Sequence, residues 1–220
     1  MGSNSWEHVK TIHVEGVTAS CNINKHENGN VFIHCRRQIF VSTNGVEGDY
    51  VELPALSNKI GTENERNRIF GGSSTFVDEG KMYIITSRMN SHTRDRDIFL
   101  YRLNDSWTDW HPDERLIATW PGRRRESPDI VKTDSGYYYF VSETHGWRDS
   151  TTFYRQAESL VGLSTAAEHE VNFLPHNTDT IQSHGSQFCS INRLEENKWI
   201  FQGRVSSYYS NIYMFKKWKQ

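Results

Sequence analysis

Three cysteines in 220 residues, Cys21, Cys35 and Cys189, form no CxxC pair and include at least one that must stay unpaired. Neither a zinc knuckle nor a disulfide scaffold is indicated, so the fold is expected to be held by its core. Net charge is also scarce, −2 at pH 7. Without a broad field to gather a polyanion or a charged bilayer, nucleic acid and membrane are disfavoured as partners. No apolar run approaches the roughly 18–20 residues that span a bilayer, and Met1-Gly2-Ser3-Asn4-Ser5 is not followed by the apolar stretch of a signal peptide. Long helices are missing too. No stretch keeps a 3.6-residue period between caps, and only Thr165-Ala166-Ala167-Glu168 reads as a single helical turn. Apolar content is low at 35%, yet aromatic residues reach 13%, with seven Trp and ten Tyr. Rings must therefore supply much of the burial, and the same flat faces suit stacking on sugars.

What the chain does contain is a repeat. A short apolar strand, a polar turn, a richer strand and a third strand recur four times at a period of about 50–60 residues. The first copy runs Ser20–Asn24, a turn at Asn28-Gly29-Asn30, Val31–Cys35 and Gln38–Ser42. The second has Ser74–Asp78, Lys81–Ser87 and Asp97–Leu103; the third Pro128–Lys132, Tyr137–Ser142 and Thr151–Arg155; the fourth Ser186–Ile191, Lys198–Phe201 and Asn211–Phe215. These segments are rich in β-branched and aromatic residues and bounded by Gly, Asn, Asp or Ser, as hairpin-linked strands are. Strand triplets at a fixed period with no helices between them suit an all-β fold, a β-propeller with four recognisable blades in one domain over residues 1–220, with repeats at about 10–57, 70–120, 124–175 and 183–218. A β-sandwich with a similar number of strands is the competing architecture.

In the third repeat, Arg125-Glu126-Ser127-Pro128, Gly136-Tyr137-Tyr138-Tyr139 and Thr144-His145-Gly146-Trp147 resemble the corresponding blade of glycoside hydrolase family 43. Within it they are most similar to the exo-β-1,3-galactanase-like branch, with Arg-Glu-Ala-Pro, Gly-Lys-Tyr-Tyr-Leu and Thr-Gly-Trp. Phe76-Val77-Asp78-Glu79-Gly80-Lys81-Met82-Tyr83 and Ser186-Gln187 extend the match over about residues 70–205. The resemblance implies a five-bladed propeller, of which the N-terminal blade has no counterpart here. Such a ring closes either within one chain or by pairing two copies. It also implies an oligo- or polysaccharide substrate such as a β-linked galactan, an inverting mechanism, and an extracellular or periplasmic location.

Inverting hydrolysis needs a protonated carboxyl for the leaving oxygen and a base that activates water from the opposite face. On the family pattern Glu126 is the acid and Gln187 the residue that places water. The plainer readings are a surface glutamate paired with an arginine and a buried amide bonding a neighbouring strand. Trp147 can present its indole to a sugar ring or pack over its blade, while Arg125, Arg204 and Tyr208 are the other candidate substrate contacts. Arg123-Arg124-Arg125 reads as a loop rather than a phosphate-binding groove. The usual acidic neighbour of the acid falls at about Gly72, and the family's N-terminal aspartate has no match. That leaves a catalytically inactive carbohydrate-binding propeller as the second reading. No cofactor is expected from the spacing of the ten histidines; the family adds a Ca²⁺ held near the axis, for which His184 or His34 is the candidate. Asn104-Asp105-Ser106 is the only glycosylation sequon.

Overall fold

Alternating apolar residues between tight polar turns give fifteen strands in a computed structural model that describes residues 11, 21–35, 38–54, 56, 72–89, 95–144, 150–171, 187–195, 198–206 and 209–215. No helix among them is long and apolar enough to cross a membrane. The protein divides into two compact units, Met1–Leu56 and Ser57–Gln220.

The first unit holds one antiparallel sheet in the order β1 (Cys21–Lys25), β2 (Val31–Cys35), β3 (Gln38–Ser42), β4 (Val51–Leu53). β2 is buried throughout, and Ile33, Cys35 and Phe40 form its small core with Tyr50 packed against them. Gly29 takes φ 91° in the β1–β2 turn, a left-handed conformation that glycine adopts without a steric penalty. This turn sets Cys21 opposite Cys35, and the two are joined in a disulfide with Cα atoms 4.3 Å apart. The pairing is one that the cysteine count leaves open: a hairpin brings together residues that sequence separation alone leaves unrelated. Replacing both by serine is expected to destabilise this unit by about 3 kcal/mol, the value for closing a loop of some 15 residues. Urea unfolding with and without reductant measures it.

The second unit contains three antiparallel meanders. They are β5 (Ser73–Asp78), β6 (Lys81–Met89), β7 (Arg96–Arg102) and β8 (Leu116–Pro121); β9 (Arg125–Thr133), β10 (Gly136–Glu143), β11 (Thr152–Ala157) and β12 (His169–Glu170); and β13 (Gln187–Glu195), β14 (Lys198–Ser206) and β15 (Tyr209–Phe215). The first strand of the middle sheet, β9, lies against both β5 and β13. The core follows from the two-residue period of β10. Tyr139 and Val141 join Ile85, Ile98, Leu100 and Trp120 on the side of the β5–β8 sheet. Tyr138 and Phe140 join Phe188 and Ile191 of β13 on the other. A strand covered on both faces reads as a continuous apolar run, as Tyr137–Val141 does.

Two local expectations change. The short helical turn lies at Val161–Ser164 rather than 165–168, because Leu163 is the residue that plugs the core there; Thr165 only caps it. The repeat unit has four strands rather than three in three of the sheets: β4 and β12 are short, largely exposed and carry little apolar signal, whereas β8 is an apolar run that buries Ala118 and Trp120 and that the three-strand unit leaves out. In the sequon, the Asn104 carbonyl accepts the Thr108 and Asp109 N–H groups and its amide donates to Thr108 Oγ1, so the side chain is built into its own turn.

Candidate functional site

β9 opens with an irregularity that places Glu126. Its partner in β10 is Ser142, and the next pair is Asp129 with Phe140, so Ser127 and Pro128 together face Val141 alone. This is a β-bulge, a device that re-aims a side chain, and Pro128 suits it because proline has no N–H to give to the ladder. Ser127 takes φ 54°, uncommon for a residue with a Cβ. Ser142 Oγ donates to the Glu126 carbonyl at 3.0 Å. From the neighbouring sheet, Gly72 lies so close that a Cβ on it would stand 2.9 Å from Ser127 N and 3.2 Å from its Cα. The Gly72 carbonyl is itself held by Ser87 N–H at 3.2 Å.

No side chain fits at Gly72 while the bulge keeps its shape. Gly72→Ala is expected to displace the Glu126 segment and to cost about 1–3 kcal/mol, the range for overpacking a tight contact. Comparing its urea midpoint with that of the unaltered protein checks this.

The Glu126 carboxylate is partly open, with 16% of its side chain exposed, and Oε2 lies 3.2 Å from Arg96 Nη2. Arg96 opens β7, and its Nη1 donates to Ser87 Oγ at 3.4 Å. A residue buried nearby completes the architecture. Asp129, 4% exposed, accepts from Ser74 Oγ of β5 at 2.7 Å, from its neighbour Ile130 N–H at 2.9 Å and from Ile191 N–H of β13 at 2.9 Å. One carboxylate thus ties the first strands of all three sheets together. Burial pushes its pKa up to about 6 from 3.8, against the lowering effect of the three hydrogen bonds.

Arg125, a candidate substrate contact, is engaged within the protein. Its guanidinium lies 3.5 Å over the Phe153 ring and donates twice to Glu168 Oε1, at 3.2 Å from Nε and 2.8 Å from Nη2. At 7% exposure it is a packing residue at the start of β9, so the three-arginine run is not all loop; Arg123 and Arg124 remain exposed. Gln187 and Arg204 are cross-strand partners at the start of β13 and near the end of β14. Their side chains lie outside the described residues, as do Trp147, Tyr208 and His184. His34 is buried in β2 with its ring stacked on Phe32 at 6.1 Å. Among the described residues no three His, Cys, Asp or Glu side chains gather as a metal site.

Sequence reading missed Asp129 and Arg96. Asp129 had a signal, a carboxylate inside the apolar run Pro128-Asp129-Ile130-Val131, where burial demands partners. Arg96 had none, standing in the alternating Arg94-Asp95-Arg96-Asp97.

The sheets are similar in fold to solved structures of glycoside hydrolase family 43, the family that the third repeat of the sequence resembles. The particular solved structures include an exo-β-1,3-galactanase from Clostridium thermocellum, with TM-score 0.67 and 17% identity, covering 88% of this chain and 46% of that one. Another is an exo-β-1,3-galactanase from Phanerochaete chrysosporium with β-1,3-galactotriose, with TM-score 0.64 and 14% identity over 89% of this chain and 45% of that one. A third is a family 43 β-1,3-galactosidase with galactodeoxynojirimycin, with TM-score 0.59 and 16% identity over 87% of this chain and 69% of that one. The chain thus spans less than half the length of the first two. At such identities the likeness is one of fold. No family description and no curated protein matches the sequence itself.

Proposed function

We propose that the protein is a β-propeller glycoside hydrolase acting with inversion on a β-linked galactan or a related polysaccharide, working in an oxidising compartment where the Cys21–Cys35 bridge persists. The observation that carries this reading is the aim of Glu126: a bulge fixed by Gly72 and Ser142 presents one partly open carboxyl at the start of a first strand. Glu126 is the general acid. Gln187, at the start of the adjacent β13, places the attacking water, and Trp147, Arg204 and Tyr208 supply saccharide contacts.

A second reading, a carbohydrate-binding propeller without turnover, draws support from two features of the same site. Arg96 occupies the carboxylate of Glu126, and the position of its usual acidic neighbour is a glycine with no room for a side chain.

Incubation with β-1,3-galactan, arabinogalactan, xylan and arabinan, with the anomer of the first product read by NMR, separates the readings. The hydrolase releases α-configured galactose from a β-linked galactan. Retained configuration overturns the proposed chemistry, and binding without release selects the second reading.

A further inference from the structure

Two asparagines precede a glycine, Asn28-Gly29 in the β1–β2 turn and Asn44-Gly45 in the connection from β3 to β4. The pairing matters because a glycine, having no Cβ, lets its backbone nitrogen come closest to the side chain before it. Both asparagines are exposed, so access to water does not distinguish them. Hydrogen bonding does.

At the first pair the reacting groups are engaged. Gly29 N–H donates to the His26 carbonyl at 3.0 Å, Asn28 Oδ1 accepts the Asn30 N–H at 3.0 Å, and Asn28 N–H donates to His26 Nδ1 at 3.2 Å. At the second pair the bonds fall on other atoms. The Gly45 carbonyl accepts from Ser42 Oγ at 2.8 Å and from Gly48 N–H at 3.3 Å, and Asn44 N–H donates to Ser42 Oγ at 3.4 Å. Among the described residues, the Asn44 side-chain amide and the Gly45 N–H have no hydrogen bond. A Cβ on Gly45 would meet nothing within 4 Å, so the asparagine side chain has room to swing toward that nitrogen.

We propose that Asn44 is a self-modifying site: its side chain closes on the Gly45 nitrogen and reopens as aspartate or isoaspartate, and the isoaspartate releases β4. Gly45 N–H gives its proton to solvent, and the nitrogen bonds to Asn44 Cγ. Nδ2 takes up a proton from solvent and leaves as ammonia, which completes a five-membered imide. Water then adds to one of the two imide carbonyls. Cleavage at Cγ gives aspartate. Cleavage at the backbone carbonyl carbon of Asn44 routes the main chain through Cβ and Cγ, giving isoaspartate with one more backbone atom. The connection has no slack for that atom, since it doubles back so tightly that a Cβ on Gly48 would stand 2.3 Å from Ser42 Oγ and 2.8 Å from Asn44 Cβ. β4 is held to β3 only by the pairs Ile39 with Leu53, Phe40 with Glu52 and Val41 with Val51, and it is mostly exposed, so little opposes its release.

The test is peptide mapping by mass spectrometry of the full chain kept in mildly alkaline buffer, one sample folded and one unfolded in guanidinium chloride, until the unfolded chain has largely converted at both sites. There the two asparagines should convert alike. In the folded protein Asn44 should convert at least about tenfold faster than Asn28, because the slower site must first break the hydrogen bonds of its turn. Amides of β4 in the converted, folded protein should exchange with heavy water at least about threefold faster, as the loss of one ladder hydrogen bond implies. Asn44→Gln, which would have to close a six-membered ring, should show neither change after the same incubation. Equal conversion of Asn44 and Asn28 in the folded protein, an Asn44 that stays intact there, or unchanged exchange at β4 after conversion overturns the inference.

Discussion

Asp129→Ala is expected to destabilise the Ser57–Gln220 unit by about 3–5 kcal/mol, a large share of the roughly 5–15 kcal/mol that holds an ordinary domain folded. The side chain is small, so the lost packing is minor. The loss comes instead from the donors it serves, since Ser74 Oγ, Ile130 N–H and Ile191 N–H all point at its two oxygens from within a dry core. Each donor left unsatisfied costs about 1–3 kcal/mol, and two of them belong to other sheets. Asp129→Asn keeps the shape but turns one acceptor into a donor. Ser74 can accept from the new amide and a backbone N–H cannot, so about 1–2 kcal/mol is expected. The pH dependence separates charge from shape. Because the folded protein holds the Asp129 proton up to about pH 6 and the unfolded chain releases it near 3.8, this group favours folding fully below the lower value. The contribution fades as pH rises through the upper one, a loss of roughly 3 kcal/mol. The asparagine variant has no such proton, so its stability deficit should narrow between pH 4 and pH 7. Urea unfolding followed by tryptophan fluorescence across that range measures the trend, and a deficit that widens with pH contradicts the assignment.

Glu126→Gln should lower hydrolysis of a β-linked galactan by about 10²–10⁴-fold, the usual contribution of a positioned general acid. The amide preserves the size of the side chain at the bulge but has no proton to donate to a leaving oxygen. Stability should change little, by about 1 kcal/mol or less, because the lost ion pair with Arg96 is partly open to solvent. Saccharide affinity should persist, so the fall belongs to kcat rather than to KM. An unchanged rate in a folded Glu126→Gln protein places the acid elsewhere. Should the unaltered protein bind without hydrolysing, there is no rate to lose and the binding reading stands.

The strands were legible because each central segment is a short aromatic or β-branched run between turn residues, as in Tyr137–Val141. The outer strands β4 and β12 were not. Val51-Glu52-Leu53 and His169-Glu170 bury almost nothing and so carry no period. The cystine was within reach: a hairpin centred on Asn28-Gly29 sets Cys21 across from Cys35, and only the pairing register, not the cysteine count, reveals it. Glu126 was found through a family pattern, but its partner is a matter of three-dimensional approach. Nothing in the Arg94–Asp97 alternation says which guanidinium meets the carboxylate. Arg125, adjacent to it and identical in type, points to Glu168 and Phe153 because it starts a strand whose side chains alternate. The shape of the bulge depends on Gly72, more than fifty residues away, whose small size is visible in the sequence and whose neighbour is not.

The two-faced strand β10 has a consequence for how the molecule comes apart. Tyr139 and Val141 lean one way and Tyr138 and Phe140 the other, so neither flanking meander can peel off without laying aromatic surface bare along the same backbone. Hydrogen exchange should then find the slowest amides of β6, β10 and β13 opening together as one foldon rather than in three steps.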